Sequence, residues 1–530
     1  MISDVRAGVR KVTGFYFGDR AVSKIMAGER QVWPDVAPVA LPTTFHLQLT
    51  SNLTQTLYFT QSESNGVSVD WGDGSPVESS ADLSAQLAHT WSEPGIYQVS
   101  MTAGNGVTWS PGGTFVVDSN NNQHCFLGPD PVDKDDTHPE LLDFIFGDGA
   151  CLDQSRAFGG CTSLAGIDIP NRISALPEFC FYGCINLVHI EMPSSLTTLR
   201  NGAFSGCTNL ANIDLTYITT IEQQVFRSCG FVSMTIPDSV TSINTEYLFG
   251  NCQRLESVEL PNSALTLGRN CFIGCSALTD VVLKDGITNI GQQAFKGCTA
   301  LCELTIPKTV ETIYSDQSQH RISGVAEAWD GCTSLENIYV DPLNTHFKSV
   351  DGCLFGADDM LYVIPQGKTG SFTIPSNTKN IYDQAGARCR KITAIIFPNT
   401  TITKLRYAAF MYCTGLTHVY IPPTVEQVLG DVFNGCSNLK TVEIACKNLG
   451  TSEGRTAFRS CTKLEKAWFR SSCTSVSANS GPNSPFVLCN PNILTVYAEP
   501  TTKPSGWGDY WNYRNTIELT TVMGQTTPPF

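Results

Sequence analysis

Twenty-one cysteines in a chain of 530 residues raise three chemistries at once: disulfide pairing, metal ligation and nucleophilic attack. Spacing decides among them. Thirteen (Cys161, Cys184, Cys207, Cys229, Cys252, Cys275, Cys298, Cys332, Cys389, Cys413, Cys436, Cys461 and Cys489) share one register, mostly about 23 residues apart. The remaining eight (Cys125, Cys151, Cys180, Cys271, Cys302, Cys353, Cys446 and Cys473) show no pairing logic. Zinc is held by clustered ligands in paired spacing, and no C-x-x-C occurs. A single cysteine per repeat reads as a small buried apolar group with a weak donor aimed at turn backbone. Reduced thiols throughout fit assembly in a reducing cytosol.

The other chemistry-bearing residues do not converge. His46, His89, His124, His138, His189, His320, His346 and His418 fall in different parts of the chain. No G-x-S-x-G in a nucleophile-elbow context, and no H-E-x-x-H, phosphate-loop or dinucleotide motif, occurs. Asp168, Glu191 and Asp214 recur in register and would stack about 5 Å apart on adjacent coils, near the spacing of a retaining glycosidase. Acidic residues repeating in register stack this way without any catalytic role. The expectation is a protein that is not an enzyme and needs no metal or cofactor.

The elements that position these residues come from one repeat, aromatic-x-x-Cys-x-x-Leu-x-x-Ile-x-Ile-Pro. It begins at Phe158, Cys161, Leu164, Ile167, Ile169 and Pro170 and returns at Phe181, Phe204, Phe226, Phe249, Phe272, Phe295 and Trp329. After an irregular stretch it resumes at Cys389, Phe410, Phe433 and Phe458, with a degenerate copy at Phe486. A period near 23 predicts a solenoid in which each unit buries its apolar face on the next. Leu-x-x-Ile-x-Ile predicts a short strand ended by Pro, and the Ala-Phe-Cys segment a short helical or irregular return arm.

This repeat resembles the BspA-like, or Treponema-type, leucine-rich repeats of bacterial surface proteins, over roughly residues 140 to 520. Val340 to Phe355, with Tyr362 to Gly367 and Thr373 to Pro375, resembles the insert such arrays carry. Trp507 to Trp511 resembles their C-terminal cap. The resemblance implies adhesion and recognition.

Upstream, Val69-Asp70-Trp71-Gly72-Asp73-Gly74, His89-Thr90-Trp91 and Pro94 to Val99 resemble a PKD domain, an immunoglobulin-like sandwich used as a spacer. Gly72 to Gly74 supply a tight turn, where Asp70 and Asp73 are turn caps more naturally than calcium ligands. Residues 1–38 repeat a short motif. Phe17-Gly18-Asp19-Arg20-Ala21-Val22 returns as Ala27-Gly28-Glu29-Arg30-Gln31-Val32, followed by Trp33. Each copy reads as strand, turn, strand, a β-module that needs a partner surface. It resembles the N-terminal attachment segments of phage virion fibres. Met1 to Gly14 lacks the apolar run of a secretory signal, which points the same way.

The expected class is therefore mainly β. Residues 1–38 form an attachment module, 39–118 a PKD/Ig-like domain and 119–140 a linker or cap. Residues 141–519 form a leucine-rich-repeat solenoid of about thirteen coils with its own cap, and 520–530 a tail without a core.

A formal net charge of −15 with scattered Lys and Arg argues against nucleic-acid binding. No run of 18 apolar residues predicts a membrane span. The residue between the two inward apolar positions of each strand faces out on a curved sheet, acidic toward the N-terminus and aromatic toward the C-terminus. Tyr339, His418, Tyr420, Lys466 and Trp468 are the candidate ligand-binding residues of that concave face, suited to stacking on a host-surface glycan or to binding a protein. Phe17, Gly18, Asp19, Arg20, Gly28, Glu29, Arg30 and Trp33 are the candidate contacts to virion structural proteins. The leading expectation is a virion fibre or accessory protein, assembled in the host cytoplasm and displaying the solenoid on the particle. The alternatives are a bacterial surface or secreted adhesin and a purely structural virion protein. A homo-oligomer is compatible with each.

Overall fold

Between residues 41 and 527 the computed structural model describes all but 50–53, 65, 105–108, 112–123, 126–127, 130–140, 148–149, 265, 314–324, 399–401, 451–455, 477–484, 509–510 and 515–516. Before residue 41 it describes only the backbone of four two-residue strands. Tyr16–Phe17 pairs antiparallel with Arg20–Ala21, and Met26–Ala27 with Arg30–Gln31, so the sequence repeat is a repeat of hairpins. Of the expected attachment residues, Phe17, Arg20 and Arg30 lie in these strands. Gly18, Asp19, Gly28, Glu29 and Trp33 lie outside the described residues.

Two antiparallel sheets follow. One runs Leu141–Ile145, Thr43–Leu49, Gly95–Ala103, Val67–Asp70, Glu78–Ser79, and the other Trp109–Pro111, Thr54–Gln61, Ser84–Thr90. Alternation along each strand sends every second side chain inward. Phe45, Leu47, Val69 and Val99 thus share a buried core with Leu57, Phe59 and Ala85. Gly72 turns the chain with φ +77°, and a Cβ there would lie 2.2 Å from the Gln98 carbonyl oxygen, so only glycine fits. Leu141–Ile145 was expected to open the solenoid. It pairs instead with Thr43–Leu49, and Phe144 meets Phe158 of the first coil at 4.9 Å, so both parts share one core. The stretch read as a linker contains a further hairpin, His124–Cys125 with Gly128–Pro129.

From residue 150 onward the chain winds as a β-solenoid of about 14 turns with almost no helix. Two parallel ladders run along it. The Ile-x-Ile strands form one: Gly166–Asp168 pairs with His189–Glu191, and seven strands from Gly370–Thr373 to Thr520–Met523 form a continuous sheet. A second ladder, absent from the sequence reading, consists of two-residue strands such as Thr198–Leu199 and Thr220–Ile221.

The Phe-Cys segment is an irregular turn in most coils and a short 3-10 helix, Val325–Trp329, in one. Its backbone alternates hands, with left-handed φ two residues before and after the Phe, as at Phe179 and Gly183 around Phe181. Alternate amides consequently point along the solenoid axis: those of Phe179, Phe181 and Gly183 donate to the carbonyls of Asn201, Ala203 and Ser205 at 2.8–2.9 Å. The amides between fold back, as Tyr182 N–H does onto the Phe179 carbonyl. A left-handed non-glycine residue costs about 1–3 kcal/mol, and the hydrogen bonds to the next coil hold it there. The rings of Phe158, Phe181, Phe204, Phe226, Phe249, Phe272, Phe295 and Trp329 stack in series, centroids 5.5–6.4 Å apart.

The insert supplies a coil of its own, which accounts for a turn beyond the thirteen read from the repeat. Phe347–Val350, Cys353–Gly356 and Met360–Val363 form an antiparallel meander, after which Ile364 takes the ring position, its amide donating to the Ala385 carbonyl at 2.7 Å. In the next coil that position is Gly386. A Cβ there would lie 2.9 Å from Phe410 Cδ1 and 3.0 Å from Ile364 Cδ1, so its neighbours already fill the space. Phe410, Phe433, Phe458 and Phe486 then restart the stack. Trp507 and Trp511 close it against Phe469, and Trp507 Nε1 donates to the Cys473 carbonyl at 2.9 Å.

The C-terminal segment is not a tail without a core. Thr520–Met523 pairs in parallel with Thr495–Ala498 as the last strand of the seven-stranded sheet. Among the described residues no helix is long and apolar enough to cross a membrane.

Candidate functional site

In each Ile-x-Ile strand the apolar residues point into the solenoid and the residues between them stand outward. Ile338 is buried while Tyr339 is 44% exposed, and Val419 is buried while Tyr420 is 38% exposed. Val282 and Ile396 stand exposed in the same row. Register fixes the spacing: Thr305 pairs with Tyr339, and Tyr420 with Glu443, which pairs in turn with Trp468. Paired strands lie about 4.8 Å apart, so this is a stripe with one outward residue per coil.

Of the residues expected on this face, His418 and Lys466 begin their strands, and both neighbour Thr441. His418 Nδ1 lies 2.7 Å from Thr441 Oγ1, and burial pushes the imidazole below its usual range. Trp468 is a correction. It holds the outward register position yet is completely buried, because the chain beyond Thr520–Met523 crosses over it. Its indole N–H donates to the Gln525 carbonyl at 3.4 Å, and the Arg470 guanidinium lies 4.2 Å from its ring. A solenoid ending at residue 519 leaves this ring without its cover.

The structure adds a charged cluster beside it. Arg470 pairs with Glu443 Oε1 at 3.3 Å and with Glu499 Oε1 at 2.9 Å. Burial raises the Glu443 carboxyl above the usual carboxylate range, Arg470 partly offsetting it, and burial likewise raises the Tyr420 phenol. Glu443 holds the outward position of its strand, opposite Tyr420. Arg470 and Glu499 follow the inward residues Phe469 and Ala498, which are paired, so comparing that position between coils would have found them.

Toward the N-terminus the row is acidic. Asp168 and Glu191 are paired in register on an open sheet, with His189 Nε2 4.0 Å from Asp168 Oδ1. Asp214 lies below its usual range because the Thr216 hydroxyl and amide donate to it.

The register cysteines and the carboxylates of the N-terminal sandwich have structural work. From Cys184 onward each register cysteine donates its thiol hydrogen to the carbonyl at the ring position one coil earlier, as Cys184 does to Phe158 at 3.0 Å and Cys275 to Phe249 at 3.0 Å. Burial pushes the Cys252 and Cys413 thiols up to about 12. None of the cysteines whose side chains are described is in a disulfide. In the N-terminal sandwich, Asp70 Oδ1 accepts the Gly72 amide and Asp73 Oδ1 the Ser75 amide, both at 3.0 Å, and Asp73 Oδ2 lies 2.8 Å from His89 Nε2. Both carboxylates thus cap turns. Among the described residues no group of three or more His, Cys, Asp or Glu is placed to hold a metal ion.

The sequence matches the family described as BspA type leucine rich repeat region in six copies, over residues 154–247, 219–339 and 366–485, more than half of the chain. No curated protein matches. Similar solved structures include a leucine rich cell surface protein from Faecalibacterium prausnitzii, 22% identical, covering 61% of this chain and 84% of that one with a TM-score of 0.42. The pneumococcal vaccine antigen PcpA is 18% identical and covers 68% and 80%, with a TM-score of 0.38. A leucine-rich repeat protein from Bacteroides ovatus is 19% identical and covers 63% and 90%, also at 0.38.

Proposed function

The chain belongs to the BspA-type leucine-rich-repeat family, and on that premise we propose that it is a non-enzymatic recognition protein, displayed at a bacterial cell surface, whose parallel ladder adheres to a host or environmental ligand. One observation carries the reading: the outward positions of separate coils present exposed Tyr339 on one two-stranded sheet and exposed Ile396 and Tyr420 on adjacent strands of the seven-stranded sheet. Side chains fixed by a hydrogen-bonded ladder lose little entropy on binding, and aromatic rings bring large area with few torsions. A surface glycan or protein is the ligand class that fits. The sandwich before the solenoid serves as a PKD-like spacer.

Attachment of the purified chain to target cells tests this. The Tyr339→Ala/Tyr420→Ala double variant is expected to lose attachment at least tenfold with an unchanged circular dichroism spectrum. Undiminished attachment sinks the reading.

A second reading, a phage virion protein docked through its N-terminal hairpins, draws on the tandem pairs Tyr16–Phe17 with Arg20–Ala21 and Met26–Ala27 with Arg30–Gln31. Hairpins this short have little core of their own and suit docking on another subunit. Mass spectrometry of purified particles separates the two: recovery of the chain favours the virion reading, and its absence removes it.

A further inference from the structure

We infer that the middle of the outward face, across the strands Asp280–Val282, Glu303–Ile306 and Asn337–Val340, docks a cationic amphipathic helix of a partner polypeptide. This rests on the recognition reading above and names the class of partner. The three strands present two adjacent columns. Glu303 pairs with Asn337 and Thr305 with Tyr339, and Asp280 and Val282 hold the same two repeat positions on the preceding, separately paired strand. Asp280 and Glu303 are exposed, and among the described residues neither has an ion-pair partner. Beside them Val282 and Tyr339 stand 45% and 44% exposed. An acidic column flanking an apolar one calls for the complementary pair, a basic edge beside an apolar stripe.

Spacing selects the conformation. Coils repeat about every 4.8 Å along the solenoid axis, and a helix laid along that axis brings one side chain to the same line every turn, about 5.4 Å. The mismatch of about 0.6 Å per turn reaches half a coil only after about four turns, so a helix of roughly 14 residues stays in step. An extended strand, whose same-face residues recur every ~6.7 Å, falls out of step at the second contact. A structural face covered by nothing would show no preference between these periods.

The partner being unidentified, the probes are synthetic 14-residue peptides: Leu and Lys at helical period, the same composition at period 2, and Leu and Glu at helical period. Titration calorimetry on the full chain gives affinity, and protection of the exposed Cys302, immediately before the middle strand, from a soluble maleimide gives location. The helical Leu/Lys peptide is expected to bind at least tenfold tighter than the other two and to shield Cys302, and Asp280→Asn/Glu303→Gln to erase that preference. Equal affinity for the period-2 peptide, unchanged affinity in the double variant, or binding that leaves Cys302 reactive overturns the proposal. Failure here with attachment still lost in Tyr339→Ala/Tyr420→Ala leaves the recognition reading standing, whereas attachment surviving that variant removes the reading itself.

Discussion

Cys252 donates its thiol hydrogen to the Phe226 carbonyl oxygen across 3.0 Å, joining one coil to the coil before it. The same bond recurs from Cys207 to Phe181 and from Cys436 to Phe410, among others. A thiol is a weak donor, but it is small, apolar and able to reach a carbonyl inside a dry turn. That combination explains why the position is cysteine rather than serine or valine.

Removing the donor or its ring neighbour has distinct costs. Cys252→Ala is expected to lower stability by about 1–2 kcal/mol, from a small cavity and an under-satisfied carbonyl. Phe249→Ala, which removes a ring stacked 5.7 Å from Phe226 and 5.7 Å from Phe272, is expected to lower it by about 3–5 kcal/mol. Urea unfolding followed by circular dichroism measures both, and equal losses would contradict the stack as the larger contributor.

Thiol reactivity follows burial. With pKa values near 12 at Cys252 and Cys413, only about one thiol in ten thousand is ionised at pH 8. Maleimide applied to the native chain is expected to modify exposed Cys302 within minutes and to leave both buried cysteines unmodified until denaturant is added. Mass spectrometry of the digested protein reads this residue by residue.

Acid is expected to loosen the N-terminal sandwich at Asp73. Ser75, whose amide donates to Oδ1, with His89 adding its contact to Oδ2, holds this carboxyl at about 2 instead of its ordinary 3.8. Because the folded value is depressed, its contribution is complete above about pH 3.8 and is lost as pH falls through about 2. Asp73→Asn removes that contribution at every pH. The Asp73→Asn and native chains should therefore differ in melting temperature at pH 6 and converge near pH 2.

The cover over Trp468 is testable by truncation. Deleting residues 524–530 removes the Gln525 carbonyl that its indole N–H contacts. Acrylamide quenching of tryptophan fluorescence is expected to rise in the truncated chain, and the rise to vanish when Trp468→Phe is added. A truncated chain quenched no more than the intact one would show that the ring is shielded by something else.

Gly386 is expected to resist enlargement. Gly386→Ala places a Cβ about 3 Å from both Ile364 and Phe410 and should cost about 1–3 kcal/mol by overpacking, measurable as a fall in thermal midpoint.

Much of the solenoid was legible because its constraints are local and repeated. Phe158, Cys161, Leu164 and Ile167 each announce a buried position, and thirteen copies average out irregularity. The ladder of Thr198–Leu199 and its fellows was missed because two residues carry too little pattern to read as a strand. The turn around Phe181 stays open between helical and irregular in the sequence because alternating backbone hands leave no fixed residue type: Phe179 and Gln224 occupy left-handed positions as readily as Gly202 does.

The sequence by itself determined the repeat, the inward face and the outward row, since period 2 within a strand and period 23 between coils follow from which residues avoid water. Only the tertiary structure decided where the array begins and ends. Leu141–Ile145 found its hydrogen bonds in the sandwich and Thr520–Met523 in the last coil, because an unpaired strand takes whichever edge lies beside it. The same edge pairing carried the following residues over Trp468 and left Tyr420, two strands away, facing solvent.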